Sequence, residues 1–274
     1  MPPIPTAPYT QFAAQMEGAL LLPFAGGTVA MFSRRSPDKG EDKNASNEDA
    51  FALLPVGPTA GVLAVADGCG GQFNGREAAE RAITALAESV AKSNDPELIR
   101  VSILDGFEAA TRRVAELGSG AATTLIAVEV NGGLIRTYHV GDSQAMLVGG
   151  RGKLKLQTRS HSPVGYAVEA GMLTEDAALE HEDRHIVSNV IGSTETHIDV
   201  GLPRPLSKRD TLVIGSDGLY DNLTQAEIVE LVRKGGLLSA AEATRKAVAE
   251  RMSGNNESAL CKPDDFTLMM FRLA

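Results

Sequence analysis

Residues Gly61 to Gly71 read GVLAVADGCGG. Small and branched apolar residues, the pattern of a buried strand, deliver a bare carboxylate at Asp67 and stop on glycines. A buried charge without a partner costs several kcal/mol even after its surroundings relax. Something must neutralise Asp67, and other acids in similar places indicate what.

The same design recurs along the chain. Asn47-Glu48-Asp49 leads into AFALLP. Asp142 follows LIRTYHVG. Asp217 follows TLVIGS, with Asp221 four residues on, and Asp264-Asp265 opens a final apolar strand. Taken singly, each aspartate reads as a turn residue bonding its own backbone, and Asp221 equally as the cap of a helix starting near Thr224. Taken together at one edge of a fold, such carboxylates repel unless protonated or bound to cations. Hard divalent ions, Mg²⁺ or Mn²⁺, prefer oxygen ligands of this kind. No cysteine and histidine spacing of the zinc type competes, and the histidines (His139, His161, His181, His185 and His197) are scattered. Two metals sharing one carboxylate activate a bridging water and clamp a phosphoryl group. Glycine after Asp67 allows backbone and substrate to approach closely. The chemistry expected is phosphate hydrolysis by a metal-bridging hydroxide.

Composition is compatible with this reading but does not demand it. The 274 residues are 43% hydrophobic and 22% charged, with a formal net charge of −9. That balance argues against a nucleic-acid groove, which needs clustered Lys and Arg, and fits poorly with an anionic membrane surface. Cys69 and Cys261 lie far apart, so no disulfide framework is expected and the compartment reads as reducing. The first basic residue is Arg34, which leaves no charged start for a secretory signal. The run ALLLPFAGG is too short to cross a bilayer. The expectation is a cytoplasmic protein.

Strand patterns occur at TVAMFS from Thr28, DAFALLP from Asp49 and VLAVAD ending at Asp67. Helical patterns follow from Arg76 and from Pro96, the latter after Asp95. ATTLIAVEV and LIRTYHV flank Asn131-Gly132-Gly133, a hairpin signal, and AMLVGG and KLKLQT continue a meander. Residues from His161 to Glu182 turn helical. After TLVIGSDG come helices around Gln225–Lys234 and Ala240–Met252, then the strand DFTLMMFRL. Hairpin links predict mostly antiparallel sheets. The strands are apolar on both faces, which suits sheets packed on one another and covered by helices. The expected fold class is α+β: a four-layer α-β-β-α sandwich with two central, mostly antiparallel β-sheets.

The ordered set SNEDAF, VADGCGG, AATTLIAV, HVGDSQAML, IGSDGLYDNL and DDFTLMMF resembles the PPM family of metal-dependent Ser/Thr protein phosphatases, the type 2C-like enzymes, from about Asn47 to Leu273. The resemblance implies a phosphorylated protein substrate and a monomer. The domain is expected to be a single phosphatase-like unit over residues 26–274, and three prolines among the first eight residues make residues 1–25 read as a flexible arm. The resemblance also implies catalytic roles for Asp67, Glu48, Asp217 and Asp264. Asp67 would bridge two core ions of Mn²⁺ or Mg²⁺. Glu48 and the carbonyl of Gly68 would serve one ion, with Asp49 helping through water. Asp217 and Asp264 would serve the other, and Asp142 and Asp221, with Asp217, match a weaker third position.

Departures from the family pattern bear on substrate more than on metal. Asn44, with Lys43 beside it, stands where an arginine normally grips phosphate as a bidentate fork. Lys43 and Asn44 are the candidate phosphate contacts. Gln144 replaces an arginine, Ser160 replaces an aspartate before His161, and Cys69 replaces an apolar residue. His161 matches a later Asp-His-Ser element and is not expected to be catalytic. Cys69 admits redox gating, although a small buried filler is the commoner role. The competing functional reading is a catalytically weak, phosphoprotein-binding regulatory (pseudophosphatase) domain, argued chiefly from Asn44.

Overall fold

The computed structural model describes residues 7–40, 46–69, 74–93, 95–118, 120–254 and 261–274. The chain opens with strands β1 (Tyr9–Phe12), β2 (Leu20–Phe24), β3 (Gly27–Arg34), β4 (Asp49–Gly57) and β5 (Ala60–Asp67). Helices α1 (Gly75–Ser93) and α2 (Ile99–Ala115) follow. A meander then runs through β6 (Leu125–Asn131), β7 (Leu134–Val140), β8 (Gln144–Val148) and β9 (Leu154–Gln157). Short helices α3 (Pro163–Glu169) and α4 (Glu175–Leu179) precede the two-residue strands β10 (Asp199–Val200) and β11 (Arg204–Pro205). The chain closes with β12 (Thr211–Gly215), α5 (Asp217–Tyr220), α6 (Gln225–Val232), α7 (Leu237–Met252) and β13 (Phe266–Leu273).

Among the described residues these strands form two sheets. One runs β1-β4-β5-β6-β7-β10, with β11 also on β7; the other runs β2-β3-β13-β12-β8-β9. All the strand pairings described are antiparallel. The β6–β7 hairpin turns on Gly132 and Gly133, both at positive φ (57° and 82°), as a two-residue hairpin loop requires.

Side-chain alternation explains why the strands are apolar on both faces. In β4 and β5, Ala50, Ala52, Leu54, Val62, Ala64 and Ala66 face α1 and α2. Phe51, Leu53, Leu63 and Val65 face the other sheet, meeting Val29, Met31, Leu212, Ile214 and Phe271. On its far side that second sheet packs Phe32, Val213, Leu268 and Met270 against Ile228, Val232 and Val248 of α6 and α7. Small alanines on the helix-facing side let α1 lie close to the strands. Each fully buried Leu, Val or Phe contributes roughly 1.5–3 kcal/mol of burial free energy. The four-layer sandwich expected from sequence is thus the architecture observed.

The segment expected to be a flexible arm is built into both sheets from Tyr9 onward. β1 pairs with β4 (Tyr9↔Leu53 to Phe12↔Ala50) and β2 with β3. Phe24 is completely buried. The early prolines prompted the expectation, but edge strands tolerate proline, and Pro23 sits in β2 at the edge of its sheet.

Local signals were otherwise close to the observed boundaries. Asp95 caps a 3-10 turn at Pro96–Leu98 that leads into α2. Thr224, rather than Asp221, caps α6, through a capping box with Glu227. Asp221 instead ends α5, and its carboxylate meets Lys262 Nζ rather than a helix end.

Candidate metal centre

Both sheets deliver acids to one end of the sandwich. Asp49 begins β4 and Asp67 ends the antiparallel β5, so the two stand directly opposite each other, a placement unfavourable for like charges. Asp142 lies in the turn where the chain crosses from β7 in one sheet to β8 in the other. Asp217 follows β12, whose Gly215 pairs with Leu268 of β13 and Gln144 of β8. Asp264 and Asp265 lead into β13. The residues singled out in the sequence, Glu48, Asp49, Asp67, Gly68, Asp142, Asp217, Asp221 and Asp264, therefore gather at one sheet end. Lys43 and Asn44 lie outside the described residues.

The electrostatics show how crowded this end is. Burial, and then the carboxylates of Asp49, Asp217, Asp264 and Asp142, hold Asp67 well above the ordinary carboxylate range. Burial followed by Asp265 does the same to Asp49. Burial with Asp217 and Asp221 raises Asp142 to about 8. Burial and Asp217 raise Asp264 to about 7 and Asp221 to about 6. Asp49 Oδ2 accepts from Ser216 Oγ at 2.8 Å, but its buried Oδ1 has no hydrogen-bond partner among the described residues. Protons alone satisfy this arrangement poorly at neutral pH. Oxygen-seeking cations satisfy it directly, so the donor set fits divalent metal ions.

Asp265, beside Asp264, and two lysines complete the cluster. Asp265 accepts from the backbone amides of Ser36 (2.7 Å) and Glu48 (2.6 Å), fixing the loop that carries Glu48. Lys39 Nζ bridges Asp265 (2.7 Å) and Glu48 (3.2 Å). Lys262 Nζ lies 2.5 Å from Asp217, 2.7 Å from Asp221 and 3.3 Å from Asp264. Burial works against both ammonium groups, but the surrounding carboxylates raise their pKa. The only sequence signal for Lys262 was its place two residues before Asp264. Lys39 had none, being nine residues from Glu48.

Two glycines are required by the geometry. A Cβ on Gly68 would lie 2.2 Å from the carbonyl oxygen of Gly75, so only glycine brings this backbone against the start of α1. Gly141, at φ +106°, would set a Cβ 2.6 Å from Thr124 Cβ. Thr124 in turn accepts from the Asp67 amide through Oγ1 at 3.0 Å, and that Oγ1 lies 2.8 Å from Ser143 Oγ.

His161 lies behind the Asp142 turn, outside the acid cluster. Its Nδ1 accepts from the Gly141 amide (3.1 Å) and from Asn189 Nδ2 (2.9 Å). The Asn189 amide is oriented by the backbone of His197. The hydrogen of the neutral ring is thereby placed on Nε2, which faces Asp199 at 3.3 Å. His139 stacks on His161 with centroids 4.5 Å apart and donates from Nε2 to the Arg159 carbonyl at 2.7 Å. Ligand atoms of His139, His161 and Asp199 lie within 4.8 Å of one another. A metal there would need the Nε2 lone pair of His161, and the Gly141 amide blocks the tautomer that offers it. The trio therefore serves as a brace for the turn bearing Asp142.

The sequence departures have structural explanations. Gln144 accepts from Gln157, which itself accepts from Gln225. Ser160 donates to Ser162, the cap of α3. Burial, with Asp142 and Asp217, pushes the Cys69 thiol up to about 12, so it is protonated and a poor nucleophile.

Beside the cluster opens a cleft of about 430 Å³, between β8–β9 and the α3–α4 segment. Asp142, Asp217 and Asp221 form one wall, and Arg159, Arg184 and Gln157 are among the residues opposite. Arg159 pairs with Glu169, and Arg184 bonds the Leu179 carbonyl.

A four-layer sandwich whose abutting sheet ends gather carboxylates beside an open cleft defines a recognisable class. The family model for protein phosphatase 2C matches residues 38–253, and the chain belongs to that family, whose members depend on metal ions. It is 32% identical over 198 residues to a putative protein phosphatase 2C-type from Streptococcus pyogenes, covering 69% of this chain and 80% of that protein. The solved Streptococcus agalactiae serine/threonine phosphatase superposes with a TM-score of 0.75 at 28% identity, over 90% of this chain and 99% of the other. The catalytic domain of the phosphatase PstP, solved with 2 manganese ions, shares the fold, with a TM-score of 0.67 at 24% identity over 89% of this chain and 96% of that one.

Proposed function

We propose that this protein hydrolyses phosphoserine and phosphothreonine on protein substrates, using Mn²⁺ or Mg²⁺ bound at the sheet-end cluster. The observation that carries this reading is the convergence of Asp67 with Asp49, Asp142, Asp217 and Asp264, more carboxylate than the neighbouring ammonium groups balance. Asp67 would be shared between two core ions. Glu48 and the Gly68 carbonyl would hold one, with Asp49 behind it, and Asp217 and Asp264 the other. Asp142 and Asp221 stand on the cleft side. Bound divalent ions supply Lewis-acid activation of water and neutralise charge on the phosphoryl oxygens.

The chain's own residues do the rest. Ser216 and the Asp265 carboxylate fix the acids before any ion arrives, so little reorganisation remains for the reaction. The cleft receives the phosphopeptide, and Arg159 and Arg184 present guanidinium groups to an anionic substrate. Residues 26–274, together with β1 and β2, act as one phosphatase domain, monomeric and cytoplasmic. No helix among the described residues is long and apolar enough to cross a membrane. The relatives are named as phosphatases, which supports turnover over the phosphoprotein-binding alternative.

The test is initial-rate hydrolysis of a phosphothreonine peptide with and without Mn²⁺, for wild type and Asp67→Asn. Metal-dependent turnover that vanishes in the variant is the expected result. A wild type that binds Mn²⁺ by calorimetry but turns nothing over would defeat the proposal.

A further inference from the structure

The far ends of β8 and β12 carry the opposite charge to the acid cluster. Gln144 faces Gly215 beside the acids, and Val148 faces Thr211 at the other end. Each strand has 5 residues, so its ends lie roughly 14 Å apart at about 3.4 Å per step. Two loops meet at the far end, the turn from β8 to β9 and the segment leading into β12. No acid occurs between Asp142 and Glu169, or between Asp199 and Asp210. The same stretches hold Arg151, Lys153, Lys155, Arg204, Lys208 and Arg209, all exposed. Like charges so gathered repel one another, a cost that a bound anion relieves.

The loops hold this patch in place. Hydrogen bonds from the Gly149 amide to the Lys153 carbonyl (2.8 Å) and from the Gly152 amide to the Gly149 carbonyl (2.7 Å) close the turn. A Cβ on Gly150 would lie 3.0 Å from the Arg209 carbonyl oxygen, so glycine lets the turn press on the second loop. Asp210, buried at 2% exposure, accepts from Lys155 Nζ at 2.7 Å and from the Ser207 amide at 2.8 Å. The one acid lining the patch among the described residues is thus spent on tying the two loops together. Arg151, Lys153, Lys208 and Arg209 make no ion pair among the described residues and line a hollow of about 680 Å³.

Three kinds of polyanion carry the complementary charge. Single-stranded nucleic acid is held by aromatic rings set among cations, and no aromatic side chain lines this hollow among the described residues. An anionic bilayer offers a flat face to a concave one, and a net charge of −9 opposes both extended polyanions. A short acidic peptide fits the hollow and meets four uncommitted cations. We propose that this patch docks an acidic segment of the protein substrate, remote from the phosphorylated residue being hydrolysed. The inference rests on the phosphoprotein reading above and adds a second recognition element to it.

The experiment uses two phosphothreonine peptides identical around the phosphate. Each is joined to a tail of eight glutamates or eight glutamines by a linker of about 25 Gly and Ser residues, which spans about 25–30 Å. Wild type is compared with Arg151→Gln/Lys153→Gln/Lys208→Gln/Arg209→Gln, which leaves the tie between Lys155 and Asp210 intact. At low ionic strength the glutamate tail should lower the wild-type KM about tenfold with kcat unchanged. The advantage should vanish in the variant and in high salt. Both proteins should hydrolyse the glutamine-tailed peptide alike, which also shows that the variant folds. No tail effect in wild type, or one that survives in the variant, overturns the docking surface and leaves the hydrolase reading standing. Turnover of neither peptide overturns the hydrolase reading and, with it, the assignment of the segment to a substrate. Fluorescence anisotropy of the unphosphorylated glutamate tail reads docking without turnover. Binding to wild type alone supports the proposal, and equal binding to both proteins defeats it. Tighter binding of phosphatidylserine vesicles or of a single-stranded oligonucleotide, with displacement of the tail, would reassign the patch and defeat it too.

Discussion

Replacing Asp67 by asparagine should make the metal-free protein more stable while abolishing its activity. The carboxylate stands opposite Asp49 and among Asp142, Asp217 and Asp264, and burial with their charges holds its pKa well up. Asparagine keeps the shape and removes the ionisation that folding opposes at neutral pH. An uncompensated buried charge costs several kcal/mol. Because Asp67 keeps partial exposure, the low end applies, and the gain should be about 2 kcal/mol in chelator at pH 7.5. Cations reverse the order. Ligand at a hundred times its Kd stabilises the folded state by about 2.7 kcal/mol, and the variant forfeits most of that. The assay is urea unfolding of both proteins in EDTA and in Mn²⁺, alongside phosphopeptide hydrolysis. Asp67→Asn less stable than wild type in EDTA would refute the electrostatic reasoning, whatever its activity.

The remaining predictions follow from the same geometry. Asp142, Asp264 and Asp221 titrate at about 8, 7 and 6 in the folded protein, against an ordinary 3.8. The folded state thus holds protons that the unfolded chain releases, and metal-free stability should fall as pH rises from about 4 to 8. Asp142 alone accounts for at most about 6 kcal/mol of that loss; urea midpoints in chelator that stay level or climb between pH 5 and 8 would contradict it. His161→Ala should cost about 2–3 kcal/mol by leaving the Gly141 and Asn189 donors unpaired, and His161→Gln should recover part of it. Equal losses in calorimetric unfolding would remove the brace from consideration. Cys69 should resist iodoacetamide at pH 7.5, and Cys69→Ser should keep the wild-type response to peroxide, as peptide mapping and rate assays would show.

Much of this was legible in the sequence because strand ends carry distinctive chemistry. Asp49, Asp67, Asp142, Asp217 and Asp264 each stand at or near one end of an apolar run, and that contrast survives without any structure. Apolar residues on both strand faces likewise announced layers on both sides of each sheet. Lys39 and Lys262 were hidden because a lysine in a loop reads as solvated surface, and only the fold brings each beside acids. Lys39 meets Asp265, 226 positions away, and Asn222 Nδ2 donates to the Lys262 carbonyl across 40 positions. The arm was misread because proline content reports local stiffness, whereas β1 and β2 are recruited by sheet edges distant in sequence.

The two-faced strands carry a consequence for how the chain finds its alignment. In an ordinary half-solvated sheet, slipping one residue turns the oily side outward, and that penalty enforces correct pairing. In β4 and β5 a slip merely trades one apolar layer for another, alanines for phenylalanine and leucine, and punishes the error less. Proofreading must then come from size matching and from the strand tips, where Asp49, Asp67 and the tightly packed Gly68 tolerate no displacement. The residues that do the chemistry thereby also serve as the alignment marks of the folding chain.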